Sequence, residues 1–414
     1  MRILKRYLKA DAGTIAVTFA MSLVPLLVAA GVGIDMARMT SVHTQMQIAL
    51  DAGAMAGAAA TGKSNAQRVK IAQDSFAANA DTSLLSTLSS TVSFKIEGGQ
   101  VKGRVDASMP TTLLAAAGYT ALDVGTSTEV TIPENKKAEI ALVLDYSGSM
   151  GDVAGTEVKY IAMRNAANKL IEDLTKDNAD KVKFALVPFS HQVYTSLPNT
   201  YVLGKPATGT WKGCTQDRQF PYNLTDATPD GSNDSKWGQP TAPDHAGFAC
   251  TGYKDRHLDL KALSNDFASI KGQLNVMTPY AYTHVALGVE FGYQVLSPNA
   301  PFSEGVSYAD KGTNKYMVVL TDGEQTEPAF GPSGIRNVAQ GDANLESLCA
   351  NAKASGINII TIAYDLDDSA QRNRLKTCAS NADENFYVAS NAAEVAKAFD
   401  AITNAITATA FLSK

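Results

Sequence analysis

At Asp145-Tyr146-Ser147-Gly148-Ser149 a carboxylate and two hydroxyls stand at alternate positions. They close an apolar run, AEIALVLD, whose last residue is Asp145 itself. Oxygen donors without nitrogen or sulfur suit hard divalent cations, Mg2+ first, with Mn2+ or Ca2+ as alternatives. Alternate spacing at the C-terminal end of a strand can aim all three oxygens at one point. A second carboxylate, Asp322, ends the run KYMVVLTD and precedes Gly323. Either acid alone reads equally well as a helix cap or turn residue. Together with the two serines they predict a metal centre.

The runs that end in these acids are short and rich in β-branched residues. AEIALVLD, VKFALVPF, KYMVVLTD and INIITIAY read as strands. Helical segments separate them at about 156–175, 283–296, 342–355 and 391–410. Continuous apolar strands alternating with helices predict a doubly wound, mostly parallel sheet covered on both faces. In such a sheet, ligands bind beyond the carboxyl ends of the strands, where the strand order reverses. If AEIALVLD and KYMVVLTD are the neighbours at that switch point, Asp145 and Asp322 converge. Two insertions interrupt the pattern, at about 195–257 and 328–341. The first is polar and holds Cys214 and Cys250; a weakly patterned loop of that length is uncommon unless it is functional. Four cysteines allow three pairings; Cys214–Cys250 and Cys349–Cys378 are favoured because each closes a local loop, with four free thiols as the alternative.

The N-terminal part differs in kind. Residues 14–34 contain no charge, a length that spans a bilayer as a helix. Arg2, Lys5, Arg6 and Lys9 precede it, which puts the N-terminus in the cytoplasm and the rest outside. A signal-peptide cut after Ala30, releasing a secreted form, is the competing expectation. Prepilin-type processing after Gly13 is a third, although Thr18 stands where such helices usually carry Glu. Helix is expected to continue to about Ala60 and to resume over 65–79. A hairpin around Gly98-Gly99 and a strand over 121–132 follow. The organisation predicted is therefore an anchor at 1–34, a helix with a small antiparallel sheet at 35–132, a linker at 133–137, and an α/β domain at 138–414.

Asp145, Ser147, Ser149 and Asp322 resemble the metal-ion-dependent adhesion site of von Willebrand factor A domains. That family's pattern is Asp-x-Ser-x-Ser, a distant Thr, then Asp before Gly. The resemblance implies that Thr283 is the missing hydroxyl, because Thr283 and Gly288 reproduce a Thr-x-x-x-x-Gly spacing. It departs at Ala281, where the family often has Gly. It further implies coordination through Ser147, Ser149 and Thr283, with Asp145 and Asp322 often acting through water. One position would then remain for a partner's carboxylate. FAMSLVPLL, IDMARM and QIALDAGAMAGAAA resemble the N-terminal segment of TadE/TadG pilus-assembly proteins, and VPFS, LTDGE and SLCANAKASGI resemble TadG. This implies a single-pass protein of the bacterial inner membrane, facing the periplasm. It would act in tight adherence or Flp pilus assembly, with other envelope proteins as partners.

Other chemistries fit less well. Gly57-Ala-Ala-Ala-Thr-Gly62-Lys63-Ser64 satisfies the Walker A pattern, but a strand must precede such a loop, and here a helix is expected. A haloacid-dehalogenase-type phosphatase needs an Asp where Ser147 stands. The five histidines have no zinc-site spacing, and Ser147 and Ser149 have no evident His base. No enzyme is expected, and no small-molecule substrate. A net charge of −5 with scattered Lys and Arg argues against nucleic acid. Trp211, Trp237 and Tyr253 in the long insertion are read either as partner contacts or as a small core around Cys214–Cys250. His284 is expected to be structural or at the rim of the site.

Overall fold

The structure, a computed structural model, describes residues 12–60, 63–80, 88–132, 136–238 and 248–411. The chain forms two compact units, Met1–Pro133 and Glu134–Lys414. The four basic residues before position 12 and most of the linker, 133–135, lie outside the described residues.

In the first unit, helix α1 runs unbroken over Ala12–Ala59, 48 residues. At 1.5 Å per residue it is about 70 Å long. It is long and apolar enough to cross a membrane. Its distal half is buried along one face, with Met46, Ala49, Leu50 and Ala54 packed into a small core. Gly53 permits that packing: a Cβ there would lie 2.7 Å from the Ala72 carbonyl oxygen. Helix α2, Asn65–Asn79, starts at a capping box in which Ser64 and Gln67 satisfy each other's backbone N–H groups. Arg68 on α2 donates to the Gly57 and Ala58 carbonyls at 3.0 and 2.7 Å. The Walker-like segment is therefore a helix end followed by a helix cap. Its Thr61 and Gly62 lie outside the described residues. No strand precedes it, which removes the geometry phosphate binding needs. Strands β1 (Ser89–Glu97), β2 (Gln100–Pro110) and β3 (Ala121–Thr131) complete the unit as an antiparallel sheet. Gly98 and Gly99 both have positive φ, 61° and 74°, as a two-residue hairpin turn requires.

The second unit is built on a six-stranded sheet. The sheet strands and, outside the sheet, the insertion hairpin follow in chain order as β4 (Lys137–Asp145), β5 (Val182–Phe189), the hairpin β6 (Val193–Pro198) and β7 (Thr210–Thr215), β8 (Lys261–Ser264), β9 (Thr313–Thr321), β10 (Ile357–Tyr364) and β11 (Phe386–Ala389). The sheet order is β8-β5-β4-β9-β10-β11. All neighbours are parallel except the edge strand β8. Helices α3 (Lys159–Thr175), α4 (Phe267–Val276), α5 (Val285–Leu296), α6 (Val338–Ala354), α7 (Ser369–Cys378) and α8 (Ala392–Ile406) accompany it. Alternate residues of β4 feed two separate cores. Ile140, Leu142 and Leu144 pack with α3 and α8, while Ala141 and Val143 pack with α5 and α6.

The chain leaves β4 for β5 on one side and later returns to β9 on the other. The strand order therefore reverses between β4 and β9, where Asp145 and Asp322 emerge. Disulfides join Cys214 to Cys250 and Cys349 to Cys378. The described residues of the long insertion, 195–238 and 248–257, carry the hairpin β6–β7 and buried aromatics that its composition does not suggest. Trp237 and Tyr253 are fully buried, so they belong to the packing and are not available as partner contacts. The second insertion contains a minimal hairpin, Ala329–Phe330 against Arg336–Asn337.

Candidate functional site

Asp145 is the last residue of β4, and its side chain folds back over the loop that follows. One carboxylate oxygen, Oδ1, accepts from the Ser147 N–H at 2.7 Å. The other, Oδ2, accepts from Thr321 Oγ1 at 2.6 Å, across to the end of β9. A buried carboxylate so held fixes the loop and ties the two strand ends together. Ser147 Oγ and Ser149 Oγ stand 3.1 Å apart. Ser149 Oγ in turn donates to Asp322 Oδ1 at 2.7 Å. Three of the five residues singled out by the sequence, Ser147, Ser149 and Asp322, thus form one continuous run of oxygens, and Asp145 holds the same loop through the Ser147 N–H.

Thr283 reaches the same place from a different element. A Cβ added to Gly323 would lie 3.0 Å from Thr283 Oγ1, so this hydroxyl rests against the residue after Asp322. Its backbone is held on both sides. The Thr283 N–H donates to Thr326 Oγ1, and the Thr283 carbonyl accepts from the N–H groups of Thr326 and Glu327. Helix α5 then carries the chain away over the sheet. Gly288 and Gly292 let it lie close, since a Cβ at either would come within about 2.6 Å of Phe189 or Val143. The Thr-x-x-x-x-Gly spacing thus has a packing reason.

Ala281, the departure from the family pattern, adopts φ 68°. Its carbonyl accepts from the Gly148 N–H at 2.8 Å, so the conformation braces the serine loop. A left-handed alanine costs roughly 1–2 kcal/mol that glycine avoids, partly offset by the extra freedom glycine brings to the unfolded chain. Ala281→Gly is therefore expected to raise stability by about 1 kcal/mol in urea denaturation. A loss of stability would contradict this account.

The electrostatics contain a residue that sequence reasoning missed. Burial, and then the neighbouring Asp322 charge, push the Asp145 carboxyl up from its ordinary range. Burial does the same to Asp322, opposed by Ser149 and by Lys159. Lys159 Nζ lies 3.0 Å from Asp322 Oδ2 and 3.3 Å from Asp365 Oδ2, with its side chain 8% exposed. A lysine in the first turn of α3 opposes the helix dipole and needs an anion nearby. That misplacement was the available signal. Among the described residues no group of three His, Cys, Asp or Glu side chains is arranged to hold a metal. A cation here would rely on hydroxyls as much as on acids, and the donor set of two carboxylates and three hydroxyls fits a hard cation. His284, next to Thr283, is buried, and neither ring nitrogen reaches a partner among the described residues.

Residues 13–60 match the family model of TadE/G-like Flp pilus-assembly proteins, and residues 255–401 match that of the von Willebrand factor type A domain. The chain thus joins a TadE/G-like segment to a von Willebrand factor A domain. Comparison with curated proteins returns no match. Among solved structures, the pilus adhesin SpaC from Lactobacillus rhamnosus GG is similar at 15% identity and a TM-score of 0.39, over 78% of this chain and 35% of that one. The chain therefore spans about a third of that adhesin's length. The vWF domain of the type V pili tip protein Mfa5 from Porphyromonas gingivalis is similar at 15% identity and a TM-score of 0.42, over 66% of this chain and 96% of that one. The adhesive tip pilin GBS104 from Group B Streptococcus agalactiae is similar at 10% identity and a TM-score of 0.42, over 66% and 100%.

Proposed function

We propose that this chain is a membrane-anchored, non-enzymatic component of tight-adherence pilus assembly that docks an envelope partner through a divalent cation. The observation that carries the reading is the run of oxygens from Ser147 through Ser149 to Asp322, with Asp145 and Thr283 beside it. Ser147, Ser149 and Thr283 would hold the cation by their hydroxyls, and Asp145 and Asp322 by their charge. The bound cation would supply one coordination position for a carboxylate on the partner. The partner is then an envelope or pilus protein that presents Asp or Glu. Helix α1 would hold the domain on the periplasmic side of the inner membrane.

The test uses the full-length chain in detergent, washed with EDTA and titrated with Mg2+, Mn2+ and Ca2+. A cation at 100 times its Kd should add about 2.7 kcal/mol of stability. Asp145→Asn keeps an acceptor for the Ser147 N–H but removes the charge. Its cation affinity should fall at least roughly tenfold, about 1.4 kcal/mol. Equal titrations for the variant and the unchanged chain would dismiss the site.

Lys159 favours a second reading, because its ammonium already neutralises Asp322. On that view the cluster serves stability alone. Pull-downs from envelope extracts with and without EDTA separate the two. A partner released by EDTA supports docking, and a partner indifferent to EDTA supports the scaffold.

A further inference from the structure

We propose that the loop 111–119 of the first unit is a second membrane contact, dipping its Leu113 and Tyr119 side chains into the outer face of the bilayer that α1 crosses. The inference rests on reading residues 14–34 as a membrane span.

Its composition is the first indication. From Pro110 to Leu122 the sequence reads PTTLLAAAGYTAL, thirteen residues without a charge. Such a segment is unusual at the tip of a sheet facing water. Leu113 is 48% exposed and Tyr119 64% exposed.

The second indication is depth. Leu113 lies against Gly31 of α1: a Cβ on Gly31 would come 2.6 Å from the Leu113 Cβ. Gly31 belongs to the uncharged run, about 5 Å inside its end at 1.5 Å per residue. Any bilayer that covers the span to residue 34 therefore reaches Leu113. Tyrosine is favoured at such an interface, where its ring is apolar and its hydroxyl wet.

The loop is also built for that environment. Asp35, the first charge after the run, is fully buried and does not face lipid. Its Oδ1 accepts from the Thr112 N–H at 3.2 Å and from Thr112 Oγ1 at 2.6 Å. Its Oδ2 accepts from the N–H groups of Leu113 and Leu114 at 3.0 and 2.9 Å. One carboxylate thus fastens the loop to the helix and satisfies three backbone donors. The remaining turn closes on itself, with Gly118 N–H donating to the Ala115 carbonyl and Tyr119 N–H to the Leu114 carbonyl. Backbone entering lipid must be satisfied internally in this way. Arg38 Nη1, 3.3 Å from Thr112 Oγ1, marks the headgroup side.

The experiment places single cysteines in the full-length chain, with both disulfides kept oxidised. Leu113→Cys, Tyr119→Cys, Phe19→Cys and Glu97→Cys are labelled with an NBD fluorophore and reconstituted into phosphatidylcholine/phosphatidylglycerol vesicles. Quenching by nitroxide-bearing lipid reports contact with acyl chains. Glu97 is the aqueous control, the last residue of β1, paired with Gln100 at the start of β2 and about 30 Å from the loop at 3.3 Å per residue. Phe19 is the control inside the span. The expected result is quenching at 113 and 119 several-fold above that at 97 and approaching that at 19. Quenching at 19 with 113 and 119 no higher than 97 overturns the loop contact and leaves the anchor standing. No quenching at 19 overturns the span itself and the loop contact with it.

Discussion

In the Lys159→Met variant, Mg2+ should bind the proposed site about 10- to 100-fold more tightly than in the unchanged chain, as Coulomb energies of a few kcal/mol at an effective dielectric constant near 20 imply. The ammonium stands 3.0 Å from Asp322 Oδ2, so it occupies charge that a cation would otherwise use. Methionine keeps the length and apolar stem of the side chain and removes the positive end. The metal-free variant should also lose about 3 kcal/mol of stability, because Asp322 is left buried without a counterion. Added Mg2+ should restore most of that loss. Isothermal titration and thermal denaturation of the same samples measure both effects. Unchanged affinity alongside lower stability would show that ammonium and cation do not share the carboxylate. With this lysine present, cation binding at the proposed site would have to displace the Lys159–Asp322 ion pair and would be weaker than the oxygen set alone would give.

The second large effect is expected away from the metal. Glu290→Ala should cost about 3–5 kcal/mol, because it leaves the Arg218 guanidinium buried without its partner. Arg218 and Glu290 are 0% and 1% exposed in their side chains and 2.9 Å apart. Trp237 Nε1 also donates to Glu290 Oε1 at 3.1 Å, and Arg218 lies over the Trp237 ring. This cluster fastens the insertion onto α5, the helix that begins just after Thr283. Loss of the carboxylate should therefore loosen the insertion and displace the threonine. Glu290→Gln retains an acceptor for Trp237 and should cost less than the alanine. Urea denaturation of the three proteins is the measurement. A cost below about 1 kcal/mol for the alanine variant, typical of an exposed pair, would refute the role assigned to the cluster.

Much of the fold was legible because its signals are local. The helix over 65–79 and the hairpin turn at Gly98-Gly99 are both readable from short stretches of sequence. AEIALVLD, VKFALVPF, KYMVVLTD and INIITIAY are apolar on both alternating faces through most of their length because both faces of the sheet are covered. Helix α7 was not foreseen: it buries only Gln371, Leu375 and Cys378 and shows little apolar periodicity. The edge strand β8 is four residues long and pairs irregularly with β5. Trp237 was ambiguous in sequence because an aromatic in a polar loop packs inward or outward according to what the rest of the chain brings over it. Here Phe291, Arg218 and Glu290 cover it.

Residue order alone determined that oxygen donors would cluster at the end of AEIALVLD, since spacing within Asp145–Ser149 is local; the sheet order, with β4 beside β9, is what brings Asp322 to them. Residue order also determined the uncharged stretch over 14–34 and the mostly parallel sheet. Only the tertiary structure decided which charge the site already holds, because Lys159 and Asp322 are far apart in the chain and meet only when the start of α3 comes to the end of β9. The same holds for Ala281, whose left-handed backbone follows from the carbonyl it must offer to Gly148. It holds too for the 111–119 loop, whose depth is set by contact with Gly31 and Asp35. Local patterns encode elements. Long-range pairs depend on how those elements pack, and no short window of sequence carries that information.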